Sequence, residues 1–282
     1  MAVSIEKKYQ KLTDTEHVLL RPGMYVGSIK PHTEEVFLPM KGKDQFQLTE
    51  VTYNPGFLKL FDEIVSNSVD EHKRNIKLNK VKVDIDMSTG QISIWDNGGI
   101  PVKIHKEYDE WVPEMIFSNL KAGSNFDDTE DRVVVGTNGV GSTLTNIFSK
   151  EFIIETCDGK KQFVQTFKNN MSERTKAKIT NKKTAFTKIT YLTDFERFGL
   201  KGINKNHYLM ITKRLIDIAA CNPTLKIFLN DKPIAFRTFK DYASRYVTPV
   251  FYDQSEHWKI GIGHSTTGFK AISFVNSVET KD

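Results

Sequence analysis

The chain has 282 residues, 39% hydrophobic and 27% charged, with a net charge of +5, which suits one large domain plus part of a second. It contains no apolar run near the roughly 18 residues of a membrane helix, and its N-terminus, MAVSIEKKYQKLTDTEH, lacks the apolar core of a signal peptide, so an intracellular protein with no membrane partner is expected. Cys157 and Cys221 stand alone and the seven histidines are scattered, which excludes a disulfide framework and a zinc site, while a pI near 8.9 permits contact with nucleic acid without requiring it.

Residues 1–28 read as a polar, basic arm closing on Arg21-Pro22-Gly23-Met24-Tyr25-Val26-Gly27-Ser28, a Pro-Gly turn before a short strand. A loop with Pro31, Pro39 and Gly42 follows. The Tyr53-Asn54-Pro55-Gly56 turn then opens a helix over residues 57–76. At about 100° per residue, Leu58, Phe61, Val65, Val69 and Ile76 share one face, and Glu63, Asn67, Asp70 and Glu71 share the opposite one. Three carboxylates and a carboxamide with no cation between them suit a divalent cation and an activated water; an acidic stripe on a surface helix is the plainer alternative.

The period then changes to two: Val81, Val83 and Ile85, a Ser88-Thr89-Gly90 turn, and Ile92 and Ile94 form a hairpin. It ends in Asp96-Asn97-Gly98-Gly99-Ile100-Pro101, where a carboxylate and two glycines allow close approach to a flat ligand, or make a simple turn. Pro113 starts a short helix that stops at Lys121-Ala122-Gly123. After a polar loop, Val133-Val134-Val135 leads into Gly136-Thr137-Asn138-Gly139-Val140-Gly141-Ser142-Thr143 and an apolar helix over 144–148. Strand, glycine loop and helix start together can cradle an anion. Gly136 and Gly141 have P-loop spacing, but Ser142 stands where that motif needs Lys, and no third glycine completes a dinucleotide fingerprint. The loop therefore binds phosphate in another architecture or is only a connection.

Downstream, residues 151–156 and 162–168 form a hairpin around Asp158-Gly159, a lysine-rich excursion spans 172–183, and 186–191 alternate as a strand. A helix over 205–220, a strand over 225–229 with an Asn230-Asp231 turn, and a short helix over 239–246 follow. Closely spaced strands at 258–263 and 269–275 place a domain boundary near Thr248-Pro249.

Acidic helix face, Asp-Gly strand end and glycine loop together resemble the three nucleotide boxes of the GHKL ATPase superfamily: Glu63-x-x-x-Asn67, Asp96-x-Gly98 and Gly136 to Gly141. With Arg21 to Ser28, Phe61-Asp62-Glu63-Ile64-Val65-Ser66-Asn67-Ser68, Ser124-Asn125-Phe126-Asp127-Asp128 and Ser273-Phe274-Val275-Asn276-Ser277, the chain resembles the ATPase part of type II DNA topoisomerases, in its eukaryotic, viral and phage branch. The resemblance implies an α+β fold, a GHKL two-layer sandwich of mixed β-sheet and helices followed by the first strands of a transducer domain. It divides the chain into an arm at 1–28, an ATPase domain at 29–247 and the transducer start at 248–282.

The same resemblance implies ATP and Mg²⁺ as cofactors. Glu63 would be the general base and Asn67 the metal ligand. Asp96 would accept from the adenine amino group, with Gly98, Ile100 and Thr187 beside it. Gly123, Ser124 and Asn125 would contact ribose and phosphate, and Gly136, Thr137, Asn138, Gly139, Val140, Gly141, Ser142 and Thr143 would wrap the phosphates. Implied partners are DNA, a second copy joined through the arm on ATP binding, and a DNA-cleavage domain or subunit. Asp96-Asn97-Gly98-Gly99 is one residue shorter than the usual second box, leaving open which glycine faces adenine. The family's transducer lysine is expected beyond these residues, so a nucleotide-gated module with negligible hydrolysis is one alternative. A MutL-like or chaperone-like clamp is another.

Overall fold

The computed structural model describes residues 5–123, 139–236, 238–248, 250–255, 257–265 and 268–280. In chain order these form α1 (Ile5–Lys8), α2 (Asp14–Leu20), β1 (His32–Leu38), β2 (Gln47–Tyr53), α3 (Pro55–Arg74), β3 (Lys80–Ile85), β4 (Gln91–Asp96), β5 (Ile104–His105), β6 (Glu110–Trp111), α4 (Val112–Ser118) and α5 (Gly141–Ile147). Then come β7 (Ser149–Cys157), β8 (Lys161–Lys168), β9 (Glu173–Arg174), β10 (Lys178–Asn181), β11 (Phe186–Thr193), α6 (Lys205–Cys221), β12 (Lys226–Leu229), β13 (Lys232–Ile234) and α7 (Phe239–Ala243). Two hairpins finish the chain: β14 (Val250–Gln254) with β15 (Lys259–Gly263), and β16 (Ser273–Val275) with β17 (Val278–Thr280).

The main sheet runs β10-β8-β7-β11-β4-β3-β12-β13, with β9 beside β8. Its pairings are antiparallel except β3 with β12, which are parallel, so the sheet is mixed as expected. Alternation decides which side is covered. Along β4, Ile92, Ile94 and Asp96 are buried while the intervening residues are not, because one face of the pleat lies under the helices. Asp96 thus takes a core-facing position at the strand end.

The amphipathic pattern of α3 builds the second layer: Phe57, Phe61, Ile64, Val65 and Val69 are buried against Ile94, Ile154, Ile189 and the other helices in one apolar core. Its start is fixed three ways. Pro55 occupies the first turn, the Asn54 side chain accepts from Phe57 N at 3.0 Å, and the Asn54 backbone N–H donates to His207 Nε2 at 2.9 Å. His72, Lys73 and Arg74 sit in the last turn, where the helix dipole favours cations.

Several expectations need correction. The helix ends at Arg74, so Ile76 lies beyond it and is exposed, and Leu58 is only partly covered. Asp70 is buried, away from the open acidic face. Residues 32–53, read as a loop, form the β1–β2 hairpin. Their burial alternates over too few positions, chiefly Val51 and Tyr53, to give a period-two signal. The expected short strand after Arg21 is a 3-10 turn at Pro22–Met24, which proline at the first position favours. Part of the lysine-rich excursion pairs as the edge strand β10.

Candidate nucleotide site

A cavity of about 530 Å³ opens between α3, the ends of β4 and β11, α4 and the start of α5, within the usual size range for a ligand pocket. One ridge of α3 lines it at four-residue steps: Lys59, Glu63, Asn67 and Glu71. Ile94, Asp96, Thr187 and Ile189 form the sheet side, and Gly139, Val140, Gly141 and Ser142 approach from the opposite end.

The inner end is built around Asp96. Ser68 Oγ, on the next turn of α3, donates to Asp96 Oδ2 at 2.7 Å, and Gly98 N–H donates to Oδ1 at 2.9 Å. Burial pushes the Asp96 carboxyl up to about 6, against the pull of those two donors, and Glu71 nearby adds to the rise. Thr187 is the register partner of Asp96. The Thr156 hydroxyl donates to the Phe186 carbonyl at 3.1 Å and accepts from Ile100 N–H at 3.1 Å. Thr187 Oγ1 lies 3.0 Å from Thr156 Oγ1, a hydroxyl pair in which either can donate.

The two glycines after Asp96 have different tasks. A Cβ on Gly98 would stand 2.7 Å from Leu78 Cδ1, behind the cavity wall. A Cβ on Gly99 would collide with the Cys157 carbonyl, and Gly99 is the one that lines the cavity. The close approach of this loop to the end of β7 therefore demands glycine at Gly99, whereas a side chain at Gly98 would have to displace the tip of Leu78.

At the outer end Glu63 Oε1 lies 2.5 Å from Lys59 Nζ, and Glu63 Oε2 faces Gly141, where a Cβ would overlap it. The acidic ridge is thus flanked by cations, Lys59 at one end and Arg74, 4.0 Å from Glu71, at the other. The start of α5 is tied to α3 through Thr145 Oγ1, which donates to the Leu60 carbonyl at 3.0 Å. Ala122 N–H reaches the Gly139 carbonyl at 3.2 Å, closing the rim, and Gly139 has φ of 60°, a conformation that favours glycine.

Of the expected site residues, Glu63, Asn67, Asp96, Ile100, Gly123, Gly139, Val140, Gly141, Ser142 and Thr187 all line this cavity. Gly98 lies behind Asp96, and Thr143 is buried, its hydroxyl donating to the Asn119 carbonyl at 3.0 Å. Ser124, Asn125, Gly136, Thr137 and Asn138 lie outside the described residues. Sequence reasoning missed Lys59, Ser68 and Arg74, while Glu71, placed on the acidic face, does line the cavity. The four-residue spacing of Lys59 and Glu63 was a usable signal; nothing local announced that Ser68 meets Asp96 across 28 positions.

Among the described residues no group of three or more His, Cys, Asp or Glu side chains gathers to hold a metal ion. Mg²⁺ takes one or two protein oxygens and fills its octahedron with water and phosphate. The exposed Asn67 amide, one turn from Glu63, offers such an oxygen.

No family model matches the chain. It is similar to DNA topoisomerase 2 of Acanthamoeba polyphaga mimivirus, at 42% identity over 98% of this chain and 23% of that protein; the chain thus spans about a quarter of that relative's length. Among solved structures it is similar to the ATPase region of Saccharomyces cerevisiae topoisomerase II, at 35% identity and a TM-score of 0.93, covering 98% of this chain and 76% of that one. It is likewise similar to the ATPase and transducer domains of DNA topoisomerase II from Balamuthia mandrillaris, at 36% identity and a TM-score of 0.93, covering 98% and 74%.

Proposed function

The chain belongs to the type II DNA topoisomerase family, in the ATPase region, and from that membership we propose that its cavity binds ATP with Mg²⁺ and hydrolyses it. The observation that carries the reading is a single cavity with a buried carboxylate acceptor at one end and, at the other, a carboxylate packed against glycine backbone. Asp96 accepts from the adenine amino group, which selects against guanine, whose ring presents a carbonyl at the matching position. Thr187 supports the same end. Gly123, with Ser124 and Asn125, meets ribose and phosphate, and residues 136–142 enclose the phosphates.

Glu63 takes a proton from the water that attacks the γ-phosphorus; the bond to the bridging oxygen breaks and ADP leaves. Mg²⁺, held by the Asn67 oxygen, would neutralise charge on the triphosphate. The backbone at Gly141 leaves room for the Glu63 carboxylate, so the base is positioned by packing as well as by Lys59.

At the level of the longer protein we infer an ATP-operated gate. Residues 1–28 act as an arm exchanged with a second copy, 29–247 as the ATPase domain and 248–282 as the start of the transducer. A captured DNA duplex is passed through one cleaved elsewhere in the enzyme. The similarity to DNA topoisomerase 2, of which this chain spans about a quarter, supports this larger role. Glu63→Gln is the direct test: hydrolysis falls at least 100-fold while affinity for a non-hydrolysable ATP analogue changes less than threefold. Turnover that survives the substitution removes Glu63 from the mechanism.

A further inference from the structure

The turn of α3 that carries Glu63 also carries Asp62, and Asp62 lines the cavity while facing α6. Arg214, on α6, places Nε 2.6 Å from Asp62 Oδ1, and both side chains are largely covered. The same guanidinium donates through Nη1 to the backbone carbonyl of Ser277. Ser277 and Asn276 are the two turn residues between Val275 and Val278 of the β16–β17 hairpin, and both have positive φ, 51° at Asn276 and 71° at Ser277.

A two-residue hairpin turn with both φ positive is normally filled by glycine-rich pairs, and non-glycine residues hold that conformation only where their surroundings fix it. Here the helices hold the turn in place: Lys73 Nζ donates to the Asn276 carbonyl at 3.2 Å, Asn222 Nδ2 to Ser277 Oγ at 2.9 Å, and Arg214 to the Ser277 carbonyl. The residue before Arg214 grips the same hairpin, since Lys213 Nζ lies 5.9 Å from the centre of the Phe274 ring.

We propose that Arg214 is a positioning residue that couples the occupancy of the ATP cavity to the docking of the β16–β17 hairpin. The proposal rests on the reading of the cavity as an ATP site. A planar guanidinium can serve Asp62 and the Ser277 carbonyl at once through a fixed fork, which a lysine ammonium on a flexible stem does less well. Movement of the Asp62–Glu63 turn when phosphate arrives changes one arm of that fork, and the other arm transmits the change to the hairpin. By linkage, whatever nucleotide does to hairpin docking, docking does to nucleotide affinity.

Hydrogen exchange on the full chain, with and without a non-hydrolysable ATP analogue and Mg²⁺, tests this. In the native chain the analogue is expected to slow exchange of amides 274–278 at least threefold. In Arg214→Ala that response is lost, protection in the β4 and β11 core stays unchanged, and analogue affinity falls by about the factor of protection lost. Asp62→Asn, which keeps the shape but not the charge, is expected to reproduce the loss and serves alone if Arg214→Ala does not melt cooperatively. Equal analogue-induced protection in the native and substituted chains overturns the coupling. So does a native chain that binds the analogue with no change at 274–278. A native chain that does not bind the analogue overturns the reading of the cavity, and the coupling with it, a result separable from the first two by the titration itself.

Discussion

The Glu63 carboxylate rests against the α-carbon of Gly141, leaving no room for a Cβ. Two effects oppose each other in Gly141→Ala. Helix propensity favours alanine by ~1 kcal/mol, while forcing a methyl into a filled space costs ~1–3 kcal/mol. Overlap should win: the variant is expected to unfold at lower denaturant and to lose most ATP turnover because the carboxylate is displaced. A variant that is more stable and fully active would show that Glu63 is free to move.

Asp96 predicts a pH dependence of nucleotide binding. Only the ionised carboxylate accepts on both oxygens, and its carboxyl sits at about 6 before ligand binds. An adenine amino donor binds the ionised form, so affinity is flat above pH 6 and falls up to about tenfold per unit below it. Titration calorimetry between pH 5 and 8 reads this directly. A profile that stays flat to pH 5 contradicts the assignment of Asp96 as acceptor.

His207 governs a separate pH effect, on stability. Its Nε2 must stay unprotonated to accept from Asn54 N–H, and burial pushes its pKa down to about 4 from an ordinary 6.5. Between those values the unfolded chain binds more protons than the folded one, so stability rises with pH across the window and is lost as pH falls through it, by at most ~1.4 kcal/mol per unit. Thermal melts between pH 4 and 7 measure the slope. His207→Gln, which supplies a neutral acceptor, should flatten it, and an unchanged slope would place the effect elsewhere.

A buried ion pair gives a fourth expectation. Lys213 Nζ lies 2.6 Å from Asp217 Oδ1, and Tyr242 donates to the same oxygen at 2.7 Å. Lys213 also sits 5.5 Å from the Phe46 ring centre and 5.4 Å from that of Tyr246. Removing one partner strands a buried charge, so Lys213→Met should cost ~3–5 kcal/mol in denaturant unfolding. The double substitution Lys213→Met with Asp217→Leu should recover part of that loss. Equal cost for single and double variants would show that shape, not charge, decides.

Regular elements were legible in the sequence where one face is buried along a whole element. The β3–β4 and β7–β8 hairpins and the helix at 205–221 follow their apolar periods closely. The β1–β2 hairpin was not legible, because its burial rests on a few residues at its ends. In the site, the types and spacing of Glu63, Asn67 and Asp96 left a surface stripe and a simple turn open, and it was the resemblance to the ATPase boxes that joined them. What stayed hidden depends on distant chain segments meeting: Ser68 with Asp96, and Asp62 with Arg214 across 152 positions. Asp70, which belongs to the acidic face by angle, is withdrawn from it by burial, a tertiary choice that helical phase alone does not decide.

The most direct measurement is a titration of the chain with non-hydrolysable ATP and GTP analogues in the presence of Mg²⁺, repeated on Asp96→Ala. The account predicts saturable binding of the ATP analogue, at least tenfold weaker binding of the GTP analogue, and loss of at least 30-fold in ATP-analogue affinity when Asp96 is replaced. Equal affinity for the two nucleotides, or ATP-analogue binding that survives in Asp96→Ala, would contradict it.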